Sequence, residues 1–298
     1  MEKLEFELHS AFEKGEWTKA CNILGSEGEL LRQSLSENSE LLHHAIVRNA
    51  PEEVIVLLIS PHIINLPSRY YHTSLHAALS WEKRWDLVPV LLQYARYGAA
   101  VDRCDFWDRT PLHLAVRCDT PRDIFTQLIS HQNVNVQDVN GVPALHFAVK
   151  KERWDLVPDL LQHGADVNLF GLPNRTPLHW AACRDTPADI VPQLISPHNI
   201  NLKDIYGHTA LHEAVREKRW ELVPVLIQYG ADPSLLDAPQ PDRPLMLSLK
   251  TVCINTIRGH MPVKTDAAYE GLGLPVILAN AAKLKPQADA IVNKGRGK

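Results

Sequence analysis

The amino-acid sequence predicts an all-α solenoid of about seven helix-turn-helix repeats, followed by a small helical C-terminal domain. Three observations support this fold class: a short motif at near-constant spacing, helix start signals beside it, and a second apolar helix after it. The motif is Leu-His-x-Ala, and successive copies begin 33 to 37 residues apart. Its leucines are Leu8, Leu42, Leu75, Leu112, Leu145, Leu178 and Leu211.

The first helix of each repeat is predicted to begin at this motif. In two copies Thr110-Pro111 and Thr176-Pro177 stand directly before the leucine. A threonine side chain can accept hydrogen bonds from the free amides of the first turn, and proline suits the first helical position. These pairs therefore predict helix N-termini at 110 and 176.

A second helix is predicted a few residues after the motif. In the segment 153–168, for example, apolar residues such as Leu156 and Leu160 recur at helical spacing. Gly164 follows, and glycine suits the left-handed conformation that ends a helix. Polar turns such as 138–141 (DVNG) and 204–207 (DIYG) then lead to the next motif.

The motifs TPLH and LLQHGADVN, with the 33-residue period, resemble the ankyrin repeat over roughly residues 1–245. The resemblance is strong for the five copies from Leu75 onward, whereas the first two lack the threonine-proline start. It implies antiparallel helix pairs stacked side by side, with hairpin-like fingers projecting from one edge. In that family the motif histidine joins neighbouring repeats by hydrogen bonds.

A second, longer period spans two repeats. The segments 81–94, 151–164 and 217–230 are near-copies of one another, and 119–130 and 185–196 are near-copies of a different sequence. The array is therefore interpreted as a duplicated two-repeat block. Each segment of the first kind contains a proline, which is tolerated only near the start of a helix. These prolines are Pro89, Pro158 and Pro224.

The composition argues against some classes of protein and indicates where in the cell the chain is located. The formal net charge of −4 argues against a general nucleic-acid binder, which would carry a basic excess. The five cysteines are scattered without a CxxC pair, which indicates reduced thiols. With neither a signal-peptide pattern nor a long apolar run, the expected location is the cytoplasm or the nucleus. The cysteines are Cys21, Cys104, Cys118, Cys183 and Cys253.

No enzyme activity, cofactor or metal site is expected. Seven of the 15 histidines belong to the repeated motif, where a structural role is favoured over metal binding or catalysis. The adjacent pair His43-His44 has no carboxylate or cysteine at ligand spacing. Trp85, Trp154 and Trp220 share one phase of the repeat, which favours packing between repeats over a ligand site.

The family resemblance implies a target-binding surface on the fingers and on the first helices just after the motif. The finger positions are Arg69, Tyr70, Phe106, Trp107, Arg109, Arg175, Ile205, Tyr206 and His208. The helix positions are Arg48, Trp81, Arg117, Lys150, Lys151, Arg184, Arg216 and Glu217. Six of the latter are basic, which favours a target protein with an acidic segment. The alternative is a solvated helix face whose charges only keep the array soluble.

The repeat pattern breaks where an eighth motif is due. The stretch 243–260 lacks His-x-Ala and instead places Leu249, Cys253 and Ile257 on one helical stripe, after the small residue Ser248. This element resembles the first part of a SOCS box, which implies a helix that inserts its leucine and cysteine into a groove on Elongin C. The alternative is a capping helix that closes the stack.

A second element of the same box follows. Resemblance to the family implies that it contributes to cullin choice through Leu272, Leu274, Pro275 and Leu278. It departs from the family pattern at Gly273, where proline is usual, and at Ala281-Ala282, where an aromatic-aliphatic ending is customary. These departures affect the choice of cullin more than Elongin binding.

Three regions result: an ankyrin-repeat array at 1–242, a SOCS-box-like helical domain at 243–284, and a disordered basic tail at 285–298. The function that the resemblance implies is that of a substrate-recognition adaptor. It would hold a target protein for ubiquitination by an Elongin B/C cullin-RING ligase. The alternative is an ankyrin-repeat scaffold or inhibitor without a link to ubiquitin ligases.

Overall fold

A computed structural model describes residues 2–26, 40–60, 63–68, 72–80, 83–94 and 101–237 of the chain. The chain divides into two compact units, Met1–Asp166 and Val167–Lys298. In the described residues each unit is built from helix pairs, so the predicted all-α repeat is confirmed there. We number the repeats 1 to 7 in chain order and call the two helices of each repeat its first and second helix.

The N-terminal unit contains repeats 1 to 5. The two helices of each pair contact each other, and first helices of neighbouring repeats pack side by side. The helix bounds, pair by pair, are Glu2–Lys14 and Trp17–Ser26, Glu40–Val47 and Glu52–Leu58, Ser74–Ser80 and Leu87–Tyr94, Pro111–Arg117 and Arg122–Leu128, and Ala144–Lys150 and Val157–Gln162.

The C-terminal unit contains repeats 6 and 7. Its described helices are Pro177–Ala182 and Val191–Leu194, then Ala210–Arg216 and Leu222–Gln228, and a short 3-10 helix at Pro233–Asp237. The predicted SOCS-box-like domain (243–284) and tail (285–298) lie outside the described residues. Within the described ranges, no helix has both the length and the apolar character needed to cross a membrane.

The repeated motif lies within the first helix of every repeat and supplies core residues beneath it. Its leucine and alanine are buried in every repeat, as Leu112 and Ala115 illustrate at 0% exposure. In repeat 4, Thr110 is the N-cap and Pro111 the first helical residue, as predicted. The Thr110 backbone amide donates to Nδ1 of His113, so histidine takes the role that glutamate plays in an ordinary capping box.

The histidine also joins neighbouring repeats. His113 Nε2 lies 3.1 Å from the carbonyl oxygen of Val142, in the turn before the next first helix. His76 Nε2 lies 2.9 Å from the carbonyl oxygen of Arg109 in the same way. In the C-terminal unit His179 Nε2 reaches the carbonyl oxygen of His208 at 3.1 Å. The structural role predicted for these histidines is thus confirmed.

Proline positions within the second helices also agree with the prediction. Pro158 is the second residue of the helix Val157–Gln162. Pro89 and Pro224 are each the third residue of their helices, which begin at Leu87 and Leu222. Amides in the first turn have no partner within the helix, so proline breaks no helical hydrogen bond there.

Candidate protein-interaction surface

A short hairpin turn, which we call a finger, precedes the first helix of each of repeats 4 to 7. The fingers are residues 105–109, 138–142, 171–175 and 204–208, and we number them 4 to 7 after their repeats. In finger 4 the Asp105 amide donates to the carbonyl oxygen of Arg109 at 2.9 Å. The ends of each finger are thereby joined at the base of the first helix.

A buried aspartate holds three of these fingers in shape. Oδ1 of Asp105 accepts hydrogen bonds from the amides of Trp107 (2.8 Å) and Arg109 (2.9 Å). Asp138 and Asp204 accept the corresponding amides, two and four residues ahead, in fingers 5 and 7. An aspartate can bond backbone amides in this way because its side chain is short, and the result is a fixed turn. These aspartates were not among the residues predicted from the sequence.

Finger 6 is built differently. Gly171 stands where the other fingers have aspartate, and its backbone exchanges hydrogen bonds with Arg175 at 3.1 and 3.0 Å. The residue two positions ahead is Pro173, which has no amide hydrogen to donate. An aspartate at this position would therefore lack one of its two backbone donors.

The finger tips expose apolar side chains to solvent. The residue after the aspartate or glycine is apolar and exposed in every described finger, with exposed fractions of 63% for Phe106, 54% for Val139, 69% for Leu172 and 62% for Ile205. Phe106 and Ile205 were among the predicted finger residues. Val139 and Leu172 were missed, although aligning the repeats on the leucine of the motif places all four in one column.

Neighbouring tips are connected through their backbones within each unit. In the N-terminal unit the Val139 amide donates to the carbonyl oxygen of Trp107 at 3.0 Å. In the C-terminal unit the Ile205 amide donates to the carbonyl oxygen of Pro173 at 3.3 Å. Among the described fingers, each unit therefore has two exposed apolar tips whose backbones are joined by a hydrogen bond.

The predicted binding residues Trp107 and Arg109 form part of finger 4. The Arg109 guanidinium binds Asp105 Oδ2 through Nε (2.8 Å) and a terminal nitrogen (2.6 Å), and it lies 4.5 Å from the centre of the Trp107 ring. Although burial opposes the effect, these bonds hold the pKa of the Asp105 carboxyl below its usual value. His72 Nε2 lies 3.6 Å from the same carboxylate. Arg109 thus stabilises the finger and orients the exposed Trp107.

Arg175 lies in a buried ion-pair cluster of the C-terminal unit. Its guanidinium donates to Asp204 Oδ2 at 3.0 Å and to Glu213 Oε1 at 2.7 Å. Arg216 also donates to Glu213 Oε1, at 3.1 Å, and the Glu213 side chain is fully buried. The structure therefore places Arg175, predicted to bind target, at only 7% exposure.

The side chains of Asp204, His208 and Glu213 lie close enough together to share a cation, with ligand atoms within 4.8 Å of one another. Guanidinium groups already bind both carboxylates. A metal ion would have to displace these bonds and approach two positive charges. The geometry therefore fits an ion-pair cluster that anchors finger 7.

The predicted basic positions on the first helices differ between the two units. Arg117, Lys150 and Lys151 of the N-terminal unit are exposed. In the C-terminal unit Arg184 is half-buried, while Arg216 is exposed but binds Glu213 and Glu217. Internal carboxylates therefore compensate the charge of Arg216 within repeat 7.

The remaining predicted binding positions are either exposed or lie outside the residues that the structure describes. Arg48 is exposed and donates to the His44 ring at 3.3 Å, and Tyr206 is exposed at the tip of finger 7. The predicted positions outside the described residues are Arg69, Tyr70, Trp81, Leu249, Cys253, Ile257, Leu272, Leu274, Pro275 and Leu278.

Comparison with known proteins agrees with the repeat fold. Residues 83–171 and 170–237, together just over half of the chain, match the family model described as ankyrin repeats (3 copies). The crystal structure of the ankyrin repeat domain of Bcl-3, described as a unique member of the IkappaB protein family, covers 73% of this chain. The match includes 97% of that chain, with a TM-score of 0.56 and 26% identity.

Among curated proteins, the mouse B-cell lymphoma 3 protein homolog is 28% identical over 227 residues, which are 73% of this chain and 50% of that protein. Human B-cell lymphoma 3 protein is 31% identical over 167 residues, 54% of this chain and 37% of that protein. Inversin from Canis lupus familiaris is 29% identical over 133 residues, 42% of this chain and 12% of that protein. The chain thus spans half or less of the length of these relatives.

Proposed function

The chain belongs to the ankyrin-repeat family, and from that premise we propose that it is a protein-interaction scaffold. It holds another protein on its finger tips and on the exposed ends of its first helices. One observation carries the proposal: each of fingers 4 to 7 exposes an apolar side chain at the same position of the repeat. Contiguous exposed apolar surface is typical of sites where proteins bind one another.

The same proposal assigns no chemistry to the chain itself. The motif histidines that are described, such as His113 and His179, use their ring nitrogens to cap helices and to join repeats. Because both ring nitrogens already make these structural hydrogen bonds, we assign the rings a structural role. We place the scaffold in the cytoplasm or the nucleus, in keeping with its scattered cysteines.

A comparison of partners bound by the intact chain and by a finger-tip variant tests this function. The full chain is expressed with an affinity tag, and co-purified proteins are quantified by mass spectrometry. The variant Phe106→Ser, Val139→Ser, Leu172→Ser, Ile205→Ser is expected to lose specific partners. A matched control changes exposed apolar residues outside the fingers, Phe6→Ser, Tyr94→Ser and Tyr229→Ser. Identical partner sets for all three proteins would contradict the proposal.

We further propose that the scaffold is the substrate receptor of an Elongin B/C cullin-RING ubiquitin ligase. The support is the sequence pattern of residues 243–284, which resembles a SOCS box. Leu249, Cys253 and Ile257 would bury small apolar side chains in a groove of Elongin C, where each buried aliphatic side chain contributes about 1.5–3 kcal/mol. The ligase would then act on the held target because tethering raises its local concentration.

Co-expression with Elongin B and C separates this role from that of a scaffold without a ligase. The intact chain is expected to form a stable ternary complex, which Leu249→Asp disrupts while the repeats stay folded. Leu272→Asp, in the predicted cullin element, serves as the matched control and should retain Elongin binding. If the intact chain forms no complex, the alternative holds, namely an ankyrin-repeat scaffold or inhibitor.

A further inference from the structure

We propose that two histidines, His131 and His163, bind a divalent transition-metal ion between repeats 4 and 5. The ion is one that prefers imidazole ligands, such as Zn²⁺, and water completes its coordination. His131 lies three residues after the second helix of repeat 4, and His163 ends the second helix of repeat 5. Neither residue belongs to a finger, so this inference does not depend on the proposed scaffold function.

The two imidazole rings lie side by side at the surface. Their centroids are 5.7 Å apart and their planes are inclined by 42°. A tetrahedral zinc holds two ring nitrogens at about 2.0–2.1 Å, which places the two ring centres roughly 5 Å apart. A small rotation of either side chain therefore suffices for both rings to contact one ion. His131 is exposed and His163 is half-buried, so the ion and its water ligands can enter from solvent.

The hydrogen bonds of both rings leave Nε2 as the metal-binding atom. Nδ1 of His131 lies 2.7 Å from the carbonyl oxygen of His163, and Nδ1 of His163 lies 2.8 Å from the carbonyl oxygen of Asp159. A carbonyl oxygen only accepts, so Nδ1 carries the proton and Nε2 has the lone pair in each neutral ring. Metal-binding histidines commonly donate the other ring N–H to a carbonyl group in this way, which fixes the ring orientation.

The loops that carry the two histidines are joined to each other. The Asn135 side-chain amide donates to the carbonyl oxygen of Gly164 at 2.8 Å, and the Asp166 amide donates to Asn135 Oδ1 at 2.8 Å. Together with the bond from His131 to the His163 carbonyl, these contacts fix one loop against the other. The two ligands are therefore held close together before an ion binds. The exposed Asp166 also adds a negative charge, which favours a cation.

The duplicated block provides an internal comparison for the histidine pair. The segments that contain His131 and His163 have near-copies before and after them in the chain, and in both copies the equivalent residues are proline and tyrosine. Both positions therefore change together, in the block of repeats 4 and 5. No metal site was expected here from the sequence, because the two histidines lie 32 positions apart. The equivalent pairs are Pro61 with Tyr94 and Pro197 with Tyr229.

The contact between the repeats does not by itself account for the second histidine. His163 contributes its backbone carbonyl to His131, and any residue supplies a carbonyl group. Its ring bonds the Asp159 carbonyl oxygen, which already accepts the backbone amide of His163 at 3.2 Å. In the C-terminal unit the loops are joined without a histidine pair, since Asn201 donates to the Gly230 carbonyl oxygen at 3.0 Å. Metal binding explains why both positions carry histidine.

Titration of the full chain with Zn²⁺ tests the site. The chain carries a histidine-free affinity tag, is stripped with a chelator and kept reduced, and is titrated by calorimetry at neutral pH. The double variant His131→Gln, His163→Gln is expected to lower the affinity of the tightest site by about tenfold or more, since both protein ligands are lost. Thiols also bind zinc, so the difference between variants is the quantity that decides.

A matched double variant controls for the number of histidines. His44→Gln, His198→Gln removes two rings outside the pair and is expected to retain the affinity of the parent. If the two double variants bind Zn²⁺ equally well, the ion binds elsewhere and the proposal is overturned.

Hydrogen–deuterium exchange locates the bound ion independently of the affinity. Zn²⁺ is expected to slow exchange in the loops 130–135 and 163–166 of the parent chain, but not of the double variant His131→Gln, His163→Gln. Mg²⁺ prefers oxygen ligands and should not slow exchange in either loop. Equal protection by Mg²⁺, or protection by Zn²⁺ that spares both loops, would contradict the proposed site.

Transfer of the pair to the next copy of the block is a further test. Pro197→His, Tyr229→His places two histidines on the loops that Asn201 joins in the C-terminal unit. If the pair and the joined loops are sufficient, this variant binds one more zinc ion per chain than the parent. An unchanged number of bound ions would show that they are not sufficient, and would overturn the argument from the duplicated block.

Discussion

Arg153 donates a hydrogen bond to the carbonyl oxygen of Thr120, 33 positions earlier in the chain, at 3.0 Å. Asp155 holds the guanidinium in place by accepting two further bonds at 2.9 Å. The same contact joins Arg84 to Ala50 and Arg219 to Thr186, one repeat back in each case. The recurring Arg-Trp-Asp/Glu sequence is therefore a clamp between neighbouring repeats, and it occurs in repeats 3, 5 and 7.

Removing this clamp should loosen repeat 4 from repeat 5. Arg153→Ala deletes the bond to the Thr120 carbonyl and is expected to lower the free energy of unfolding by about 1–2 kcal/mol. Arg153→Lys keeps the charge but lacks the planar fork that binds carboxylate and carbonyl together, so we expect an intermediate loss. Urea denaturation measures both. Arg122→Ala is the control because it removes an exposed ion pair with Asp159, and it should have a smaller effect.

The alternate repeats carry a different link between neighbours. Asn133 is fully buried, and its amide nitrogen donates to the carbonyl oxygens of Val101 (3.2 Å) and Leu128 (2.8 Å). Its side-chain oxygen accepts the Ser130 amide at 2.9 Å. Asn199 makes the equivalent bonds in repeat 6 of the C-terminal unit. Arginine clamps and asparagine links thus alternate along the chain.

Asn133→Asp should be strongly destabilising. The substitution keeps the shape of the side chain but turns a carboxylate oxygen toward two carbonyl oxygens, in a site without water access. We expect a loss of about 3 kcal/mol or more in the free energy of unfolding at pH 7. Asn135→Asp in the same loop alters an exposed side chain and should cost less than about 1 kcal/mol. Comparable losses for the two variants would show that burial of Asn133 does not govern the effect.

Acid should destabilise the repeats through the motif histidines. Burial lowers the pKa of His76 to about 4, against 6.5 for a free side chain, although its bond to the Arg109 carbonyl opposes this. The unfolded chain therefore binds more protons than the folded chain between these values. The contribution of His76 to the free energy of unfolding is fully present above pH 6.5. As the pH drops toward 4, this residue lowers the free energy of unfolding by about 3 kcal/mol.

His76→Gln tests this assignment because glutamine does not titrate. The variant is expected to be less stable than the parent at pH 7.5, since it cannot make both the cap and the link to Arg109. Between pH 6.5 and 4 its stability should fall less steeply, and urea denaturation at several pH values measures the slope. A slope equal to that of the parent would exclude His76 as a source of acid sensitivity.

Features that depend on local periodicity could be predicted from sequence. Helix starts at Thr110 and Thr176, the early prolines such as Pro158, and the left-handed Gly164 (φ +87°) after its helix all follow from short-range geometry. The two-repeat period could also be read from the sequence, but the contact between repeats that explains it could not. The partner of Arg153 is a backbone carbonyl 33 residues away, and no side-chain pattern marks a carbonyl group.

Binding residues were harder to predict because residue type alone does not decide exposure. Arg175 and Arg117 are both arginines at positions that the family resemblance implies for target binding. Arg175 is buried and binds Asp204 and Glu213 of the next repeat, whereas Arg117, at the end of its helix, is exposed. The relevant neighbour of Arg175 lies 29 positions away. Only the fold brings these charges together.

The finger aspartates provide a final prediction, since Asp138 and Asp204 play the same backbone role in different electrostatic settings. In each variant, Asp138→Asn or Asp204→Asn, the new amide oxygen can still accept the two finger amides. Asp138→Asn should therefore destabilise its finger by about 1 kcal/mol, the difference between charged and neutral acceptors. Asp204→Asn also removes a carboxylate from the buried Arg175, so we expect about 3 kcal/mol. Hydrogen–deuterium exchange of residues 138–142 and 204–208 measures each finger separately. Equal acceleration of exchange in both fingers would mean that Glu213 alone compensates Arg175, and that Asp204 serves only the backbone of its own finger.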